Sequence, residues 1–381
     1  MTVASVADLL RFRLLAQGLE DEGERTPQAV VERMLAVQAQ DFGAACWALG
    51  IRAPGTTQAD VIAALDAGDI IRSWPMRGTL HFVPPADLRW MLSITTERML
   101  NGLTLRHRQL ELETPDFAKA QDVVTAAIAG GGSIGRAELM ELWEAHGIAT
   151  AGQRGYHLIY WLAQNGVLCW GPSYKTQQAL VLLDEWVPHS RELAHDEALA
   201  EFFVRYVAGH GPATVKDFVW WTKGTVAGAK TALAVAGDRL TSIEVDGTEY
   251  WLTSELASRA VARPRTPSDK NALYMLPGFD EYLIGYQNRD LVLDPEFANV
   301  IVPGGNGVFA PILVSRGRVA GTWKRTTNAK RVTVDPRPFA PLSNAESTRI
   351  ARSVKAYGRF LGLTGEVAAG EVAAAEPARR G

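Results

Sequence analysis

The chain has 381 residues and a mass of 41.4 kDa, more than one hydrophobic core usually supports, which predicts two or three modules. Hydrophobic residues make up 47 % and charged residues 21 %, a balance that excludes disordered and collagen-like classes. No apolar run reaches the roughly 18 residues of a membrane helix, and the N-terminus lacks a secretory signal pattern, so we expect a cytoplasmic protein without membrane contact. Cys46 and Cys169 have neither CxxC spacing nor a nearby histidine pair, which argues against a disulfide framework and a zinc site.

Positive charge is concentrated in two stretches, although the formal net charge is only −3. Between residues 316 and 359, eleven Lys and Arg residues oppose two acidic ones, a net of +9. Between residues 72 and 108, six Arg residues oppose two acidic ones, a net of +4. Such stretches are either solvated faces or surfaces for an acidic partner such as nucleic acid.

The N-terminal region is predicted to form a first module, residues 5–84. Helices are expected over 5–17, 27–40 and 57–68, and strands over 70–74 and 77–83. Thr26 is placed to cap the second of these helices, with Pro27 in its first turn. Three helices followed by a strand pair indicate a divergent copy of a unit that recurs further along the chain.

Two clearer copies of that unit follow, over residues 85–190 and 191–255. In the first copy, helices over 133–143 and 153–164 precede strands over 167–170 and 179–183. In the second, Thr214 and Asp217 are spaced as helix caps, and a helix over 225–236 precedes an Asp246-Gly247 hairpin. Helix, turn, helix and two-stranded wing is the order of a winged-helix module.

The C-terminal region, residues 270–362, is predicted to be β-rich and basic. Strands are expected over 273–276, 282–286, 308–314 and 318–325, and a closing helix over 345–361. Residues 365–381 are rich in Ala and Glu without a core pattern, which predicts a disordered tail. The predicted fold is therefore α+β, with three tandem winged-helix units and a β-rich C-terminal part.

Motifs of several common catalytic classes do not occur in the sequence. It has no P-loop, GxGxxG after a strand, or HExxH, and its seven histidines lack metal-ligand spacing. Kinases, dehydrogenases and zinc enzymes are thus disfavoured. We expect neither a metal nor a cofactor.

Gln38 and Gln40 lie at the end of the helix predicted over 27–40. Residues two apart point about 200° apart on a regular helix, so these amides converge only if the helix ends or unwinds there. Gly43 makes such an end possible. The alternative interpretation is a pair of ordinary polar residues at a frayed helix end.

Polar side chains alternate along the strand predicted over 77–83. Alternation places Arg77, Thr79 and His81 on the solvent face, opposite Leu80 and Phe82. Such a row suits contact with phosphates or a lesion pocket. The alternative is a hydrogen-bonded surface row without a partner.

Four separated motifs together resemble the AlkZ-like winged-helix DNA glycosylases, a family related to YcaQ, over residues 5–362. They are Gln38-Ala-Gln-Asp41, Arg72-Ser-Trp-Pro-Met-Arg-Gly-Thr-Leu-His81, Pro277-Gly-Phe-Asp-Glu-Tyr-Leu-Ile-Gly-Tyr286 and Asn306-Gly-Val-Phe-Ala-Pro311. The resemblance implies a C-shaped protein that embraces DNA and excises bulky N7-alkylated purines, in some members from interstrand crosslinks. The catalytic signature is Gln-apolar-Gln in one branch and Gln-apolar-Asp in the YcaQ-like branch, and Gln38-Ala39-Gln40 matches the first.

The resemblance implies site residues and a chemistry. Gln38 and Gln40 would position and polarise the water that attacks C1′ of the deoxyribose, because an N7-alkylated purine is already a good leaving group. The expected enzyme is monofunctional, cofactor-free and monomeric, and acts on double-stranded DNA carrying alkylated purines. Self-resistance and general repair both remain open. The residues expected to bind DNA are Arg72, Arg77, His81, Arg318, Lys324, Arg325, Lys330 and Arg331.

Two other functions remain in competition. A non-enzymatic winged-helix regulator would read sequence with a recognition helix rich in base-reading side chains. The candidate helix over 153–164 is largely apolar, which favours a packing role. The third possibility is an interaction module whose active site has decayed.

Overall fold

The computed structural model describes residues 2–20, 26–262 and 272–368. The chain divides into two compact units: a discontinuous unit, Met1–Val61 with Ala200–Gly381, and a continuous unit, Ile62–Leu199. The two boundaries fall inside the helices Gln58–Asp66 and His195–His210. This division separates residues 5–61 from 62–84, which the sequence pattern grouped in one module. The count of three winged-helix units stays a prediction.

The discontinuous unit contains helices from both of its chain segments. Besides the two helices that contain the boundaries, its α-helices are Val6–Ala16, Pro27–Met34, Phe42–Arg52, Val215–Thr222, Val226–Ala236, Ser254–Ala262, Glu281–Ile284, Ala298–Ile301 and Asn344–Phe360. Short 3-10 turns add Gly237–Arg239, Pro295–Phe297 and Pro303–Gly305. Capping boxes at Ser5, Thr214 and Ser343 satisfy the first amides of three helices.

Two sheets belong to the discontinuous unit. The smaller has the order Thr2–Val3, Leu240–Val245, Thr248–Thr253, and its first pair is parallel. The larger has the order Leu273–Leu276, Ile312–Ser315, Arg318–Thr327, Arg331–Pro338, Thr364–Val367. Its last pair is parallel and the others are antiparallel. Leu9, Leu14, Tyr282, Ile312 and Val314 are among the buried side chains of the shared core.

The continuous unit packs helices against an antiparallel sheet. Its helices are Leu88–Asn101, Thr104–Gln109, Thr114–Ile128, Arg136–Ala145, Arg154–Gln164 and Leu183–Trp186, after a 3-10 turn at Pro85–Asp87. Five of its strands follow the order Thr79–Val83, Ile71–Met76, Leu168–Tyr174, Gln177–Leu182, Ser133–Ile134. Trp74, Trp143 and Leu158 are buried at its core. No helix in the described part of either unit is long and apolar enough to cross a membrane.

The predicted α+β class is confirmed, and two local predictions are corrected. Residues 282–286 were expected as a strand, but Glu281–Ile284 is a helix, because the Asp280 side chain accepts from the Tyr282 amide at 2.9 Å and starts a turn. A short buried apolar run does not distinguish the two cases. Residues 364–367 form an edge strand, so the predicted tail does not begin at 365. Residues 369–381 lie outside the described residues.

Because of two histidines, we predict that the stability of the continuous unit decreases at acidic pH. The rings of His107 and His157 lie 5.3 Å apart, and burial is the main cause that lowers the pKa of each. The unfolded chain, whose histidine pKa is about 6.5, takes up protons first, so the free energy of unfolding falls as the pH drops below about 6.5. Urea midpoints should decrease from pH 7.5 to pH 5.5. The double variant His107→Phe, His157→Phe should reduce that difference, and an unchanged difference would contradict the assignment.

Candidate active site

The segment between Met34 and Phe42 is not helical. The helix ends at Met34 because Leu35 adopts φ 61°, ψ −44°, a positive-φ conformation that is unfavourable for leucine. A new helix begins at Phe42, where the Asp41 side chain accepts from the Ala44 amide at 3.0 Å. The prediction of one helix over 27–40 is therefore wrong beyond residue 34, and the helix Phe42–Arg52 was missed.

Gln38 and Gln40 lie on this irregular segment. Val37–Gln38 is a short strand, and burial alternates after it: Val37 and Ala39 are buried, Gln38 is half-buried and Gln40 is exposed. The strand covers only Val37–Gln38, and Gln40 lies in a bend. The end of the helix at Met34 therefore meets the condition under which the two amides can converge.

Glu281 holds this segment from its buried side. Its carboxylate is almost fully buried, and its Oε1 accepts a hydrogen bond from the Gln38 backbone N–H at 3.0 Å. Its Oε2 accepts from the Trp221 indole N–H at 2.8 Å. A buried carboxylate is stable only when its oxygens are satisfied, so Glu281 fixes the backbone of Gln38 while its carboxylate is turned away from solvent.

His210 completes the surroundings of Glu281. Its Nδ1 lies 3.1 Å from the Tyr206 carbonyl oxygen, which can only accept, so Nδ1 carries a proton. Its Nε2 lies 3.3 Å from Glu281 Oε2, and a hydrogen bond there requires a proton between the two groups. Burial raises the pKa of Tyr286 to about 12, so its hydroxyl remains a donor to the His210 carbonyl oxygen at 2.6 Å.

A buried ion pair anchors the short helix that carries Glu281. Arg52 donates to both carboxylate oxygens of Asp280 at 2.8 Å, and both side chains are almost fully buried. Arg52 also donates to the Gln17 carbonyl oxygen at 3.0 Å and to its Oε1 at 2.6 Å. The pair therefore links three chain regions that are distant in sequence.

Sequence reasoning missed these supporting residues. Arg52, His210 and Trp221 carry no local motif. The adjacent carboxylates Asp280 and Glu281 did carry a signal, because two acidic residues inside an apolar stretch require buried partners. In the sequence they stand out only as part of a family motif.

Five of the predicted DNA-binding residues lie on one exposed hairpin of the discontinuous unit. Arg331 Nη1 is 3.1 Å from Glu366 Oε2, and Arg325 donates to the Tyr357 hydroxyl. A Cβ added to Gly43 would lie 3.5 Å from the Arg325 guanidinium, so that cation is close to the start of the helix Phe42–Arg52. The five exposed cations, on or between the strands Arg318–Thr327 and Arg331–Pro338, are Arg318, Lys324, Arg325, Lys330 and Arg331.

The other three predicted DNA-binding residues belong to the continuous unit. Arg72 is half-buried, with Nη1 3.4 Å from Gln178 Oε1. Arg77 has φ 57° in the hairpin turn, and its Nη2 lies 2.9 Å from His81 Nε2. His81 is fully buried, so the expected row of solvent-facing side chains is wrong at that position. The consecutive residues 80–83 are all buried, so both faces of the strand are covered, which alternation alone does not reveal.

Comparisons with known proteins bear on the family and on the fold. The family model described as DNA glycosylase AlkZ-like matches residues 31–360. The interstrand DNA cross-link repair glycosylase of Streptomyces sahachiroi is 27 % identical over 351 residues, which cover 84 % of this chain and 88 % of that protein. The solved structure of Streptomyces sahachiroi DNA glycosylase AlkZ matches with a TM-score of 0.81 at 22 % identity, covering 96 % of this chain and 100 % of that one, and so shares its fold. The resemblance noted in the sequence is confirmed, and the chain belongs to the AlkZ-like family of DNA glycosylases.

Proposed function

We propose that the chain excises N7-alkylated purines from double-stranded DNA as a monofunctional glycosylase, and that Gln38 and Gln40 are its catalytic residues. The observation that supports this proposal is the non-helical segment between Met34 and Phe42, in which Gln38 and Gln40 are more exposed than the buried Val37 and Ala39. The relative from Streptomyces sahachiroi is an interstrand DNA cross-link repair glycosylase, which supports crosslinked DNA as a further proposed substrate.

The proposed reaction needs little acid catalysis. Alkylation at N7 makes the purine cationic, so when the C1′–N9 bond breaks, its electron pair neutralises the leaving base. Water then forms the new C1′–O bond and loses its proton to solvent. A glutamine carbonyl accepts a hydrogen bond from this water, and an amide N–H donates to the sugar or the lesion. Positioning of the water against an oxocarbenium-like sugar supplies most of the rate.

The exposed hairpin cations are proposed to hold the phosphate backbone, since cations dominate the affinity for duplex DNA. Lys324 is exposed and pairs in register with Asp335 of the neighbouring strand. The slope of log K against log salt is negative, and Lys324→Ala should make it less steep by about 0.9 for each phosphate that the variant no longer neutralises. Lys119→Ala, an exposed lysine of the continuous unit, is the matched control in a fluorescence-anisotropy titration. Equal slopes for wild type and Lys324→Ala would contradict a phosphate contact.

Glu281 is proposed as a positioning residue for Gln38. Glu281→Leu removes the acceptor for the Gln38 amide, and a shift of about 1 Å in a reacting geometry can cost about 10²-fold in rate. Glu281→Gln keeps one carbonyl oxygen at the site and should lose less. The single-turnover rate of base release should fall from wild type to Glu281→Gln and further to Glu281→Leu, while the Kd for DNA stays within about threefold of the wild-type value. Full activity of a folded Glu281→Leu variant would remove this role.

One experiment separates the glycosylase from the regulator. Wild-type protein is incubated with a duplex that contains a single N7-methylguanine, and free base and strand integrity are followed by mass spectrometry. A monofunctional glycosylase releases 7-methylguanine and leaves an intact strand with an abasic site. Absence of release from this lesion and from a bulky N7 adduct, together with tight binding to particular undamaged sequences, would support the regulator instead.

A further inference from the structure

The discontinuous unit contains a cavity of about 290 Å³, and one of its lining residues is Asp41, which directly follows Gln40. Aromatic side chains form much of its wall, namely Trp47, Phe279, Phe309 and Trp323. The indole N–H groups of Trp47 and Trp323 donate to the carbonyl oxygens of Met275 and Leu276, both at 2.8 Å. Neither N–H is therefore available to an occupant of the cavity. Both tryptophans are almost fully buried, so the half-buried Phe279 and Phe309 offer most of the accessible ring surface to an occupant.

The walls of this cavity are fixed by close packing. A Cβ added to Gly278 would lie 2.7 Å from the Phe309 carbonyl oxygen, so the two wall segments touch through backbone. Phe279 has φ 58°, a left-handed conformation that is costly outside glycine and is typical of functional sites. Trp47 packs on Tyr357 with ring centroids 4.8 Å apart. The cavity is thus preformed.

Two charged side chains, Asp41 and Arg325, also line the cavity. The Cα of Asp41 is about 3.8 Å from that of Gln40, as for any consecutive residues. One carboxylate oxygen of Asp41 accepts from the Ala44 amide, and Arg325 donates to the Tyr357 hydroxyl. A carboxylate suits a cationic lesion nearby, and a guanidinium plane can stack on a flat ring.

We infer that this cavity receives the planar aromatic substituent of an alkylated purine while Gln38 and Gln40 face the sugar. This inference rests on the proposed function and names a substrate class for it. A cavity of about 150 Å³ holds benzene, so 290 Å³ is enough for a two-ring group. The wall has few polar groups, whereas a pocket for an extruded base needs hydrogen bonds to the Watson–Crick edge. The lining therefore fits the substituent better than the purine.

The test fills the cavity from two different elements. Ala310 is half-buried in one wall and Ala44 lies in the helix Phe42–Arg52. Single-turnover release is measured from duplexes with N7-methylguanine and with an N7-(arylmethyl)guanine that carries a two-ring aryl group. Ala310→Phe and Ala44→Leu should change the rate of release from the methyl duplex by no more than about twofold. They should slow release from the aryl duplex at least about tenfold, mainly by raising the Kd for that duplex. Ala129→Phe, at an exposed position of the continuous unit, should change neither.

A binding measurement keeps this inference separate from the proposed function. Duplexes with a 2′-fluoro sugar, which resist base release, carry the methyl or the aryl adduct and are titrated against wild type while tryptophan fluorescence is followed. The aryl adduct should quench fluorescence beyond the methyl adduct, through Trp47 and Trp323, and Ala310→Phe should remove the excess. If wild type releases neither lesion but the excess quenching remains, the proposed function fails and the cavity assignment survives. Equal quenching by the two duplexes, or equal slowing of both lesions by the filled variants, would overturn the assignment.

Discussion

Replacing both Gln38 and Gln40 with alanine is expected to lower base release from an N7-methylguanine duplex on the order of 10³-fold or more. Removal of even one preorganised hydrogen-bonding group at a reacting centre typically costs about 10²-fold to 10³-fold. The protein should still fold, because Gln40 is exposed and Glu281 bonds to the backbone of Gln38. Binding to DNA should also persist, since the proposed phosphate contacts are made by other residues.

The matched control for this double variant is Gln109→Ala with Gln177→Ala, two exposed glutamines of the continuous unit. Single-turnover rates at saturating protein and Kd values from anisotropy are compared across the three proteins. Base release by the Gln38, Gln40 double variant at the wild-type rate would place the chemistry on other residues. Loss of both release and binding would instead indicate that the segment is needed for the fold.

The largest expected effect on stability is that of Arg52→Met. This change leaves the Asp280 carboxylate buried without its cation, and breaking a buried ion pair typically costs about 3–5 kcal/mol. It also removes the two hydrogen bonds to Gln17. The free energy of unfolding, measured by urea titration of tryptophan fluorescence, should fall accordingly.

A double-mutant cycle sharpens this prediction. Asp280→Leu in the Arg52→Met background removes the unpaired charge and should recover part of the loss, although the amide of Tyr282 then loses its acceptor. Arg352→Met, at an exposed position of the C-terminal helix, should change stability by less than about 0.5 kcal/mol. A loss below about 1 kcal/mol for Arg52→Met would show that the pair is not a structural anchor.

Features set by local chemistry were predictable from the sequence. The Thr214 and Asp217 capping box closes as expected, with the Asp217 amide donating to Thr214 Oγ1 at 3.1 Å. The Asp246-Gly247 turn joins the strands Leu240–Val245 and Thr248–Thr253, and both turn residues have positive φ. In each case, neighbouring residues supply both the signal and the bonds that satisfy it.

Features set by distant contacts were not predictable. The helix Pro27–Met34 ends at a leucine rather than at a glycine, and no local signal marks that end. A distant contact occurs there: a Cβ added to Gly209 would lie 2.8 Å from the Arg33 carbonyl oxygen, so a second helix presses closely on this end. Likewise, the bond from the Gln38 amide to Glu281 spans 243 positions.

The central claim is that an uncharged amide pair, held on a non-helical segment, acts only on bases that leave readily because they are cationic. The most direct test compares single-turnover base release by wild type from duplexes that differ only in one base, N7-methylguanine or uracil. We predict measurable release of 7-methylguanine with an intact strand and no detectable release of uracil. Comparable rates for the two bases would contradict the claim, because uracil is uncharged in DNA and would leave as an anion, which Gln38 and Gln40 provide no acid to neutralise.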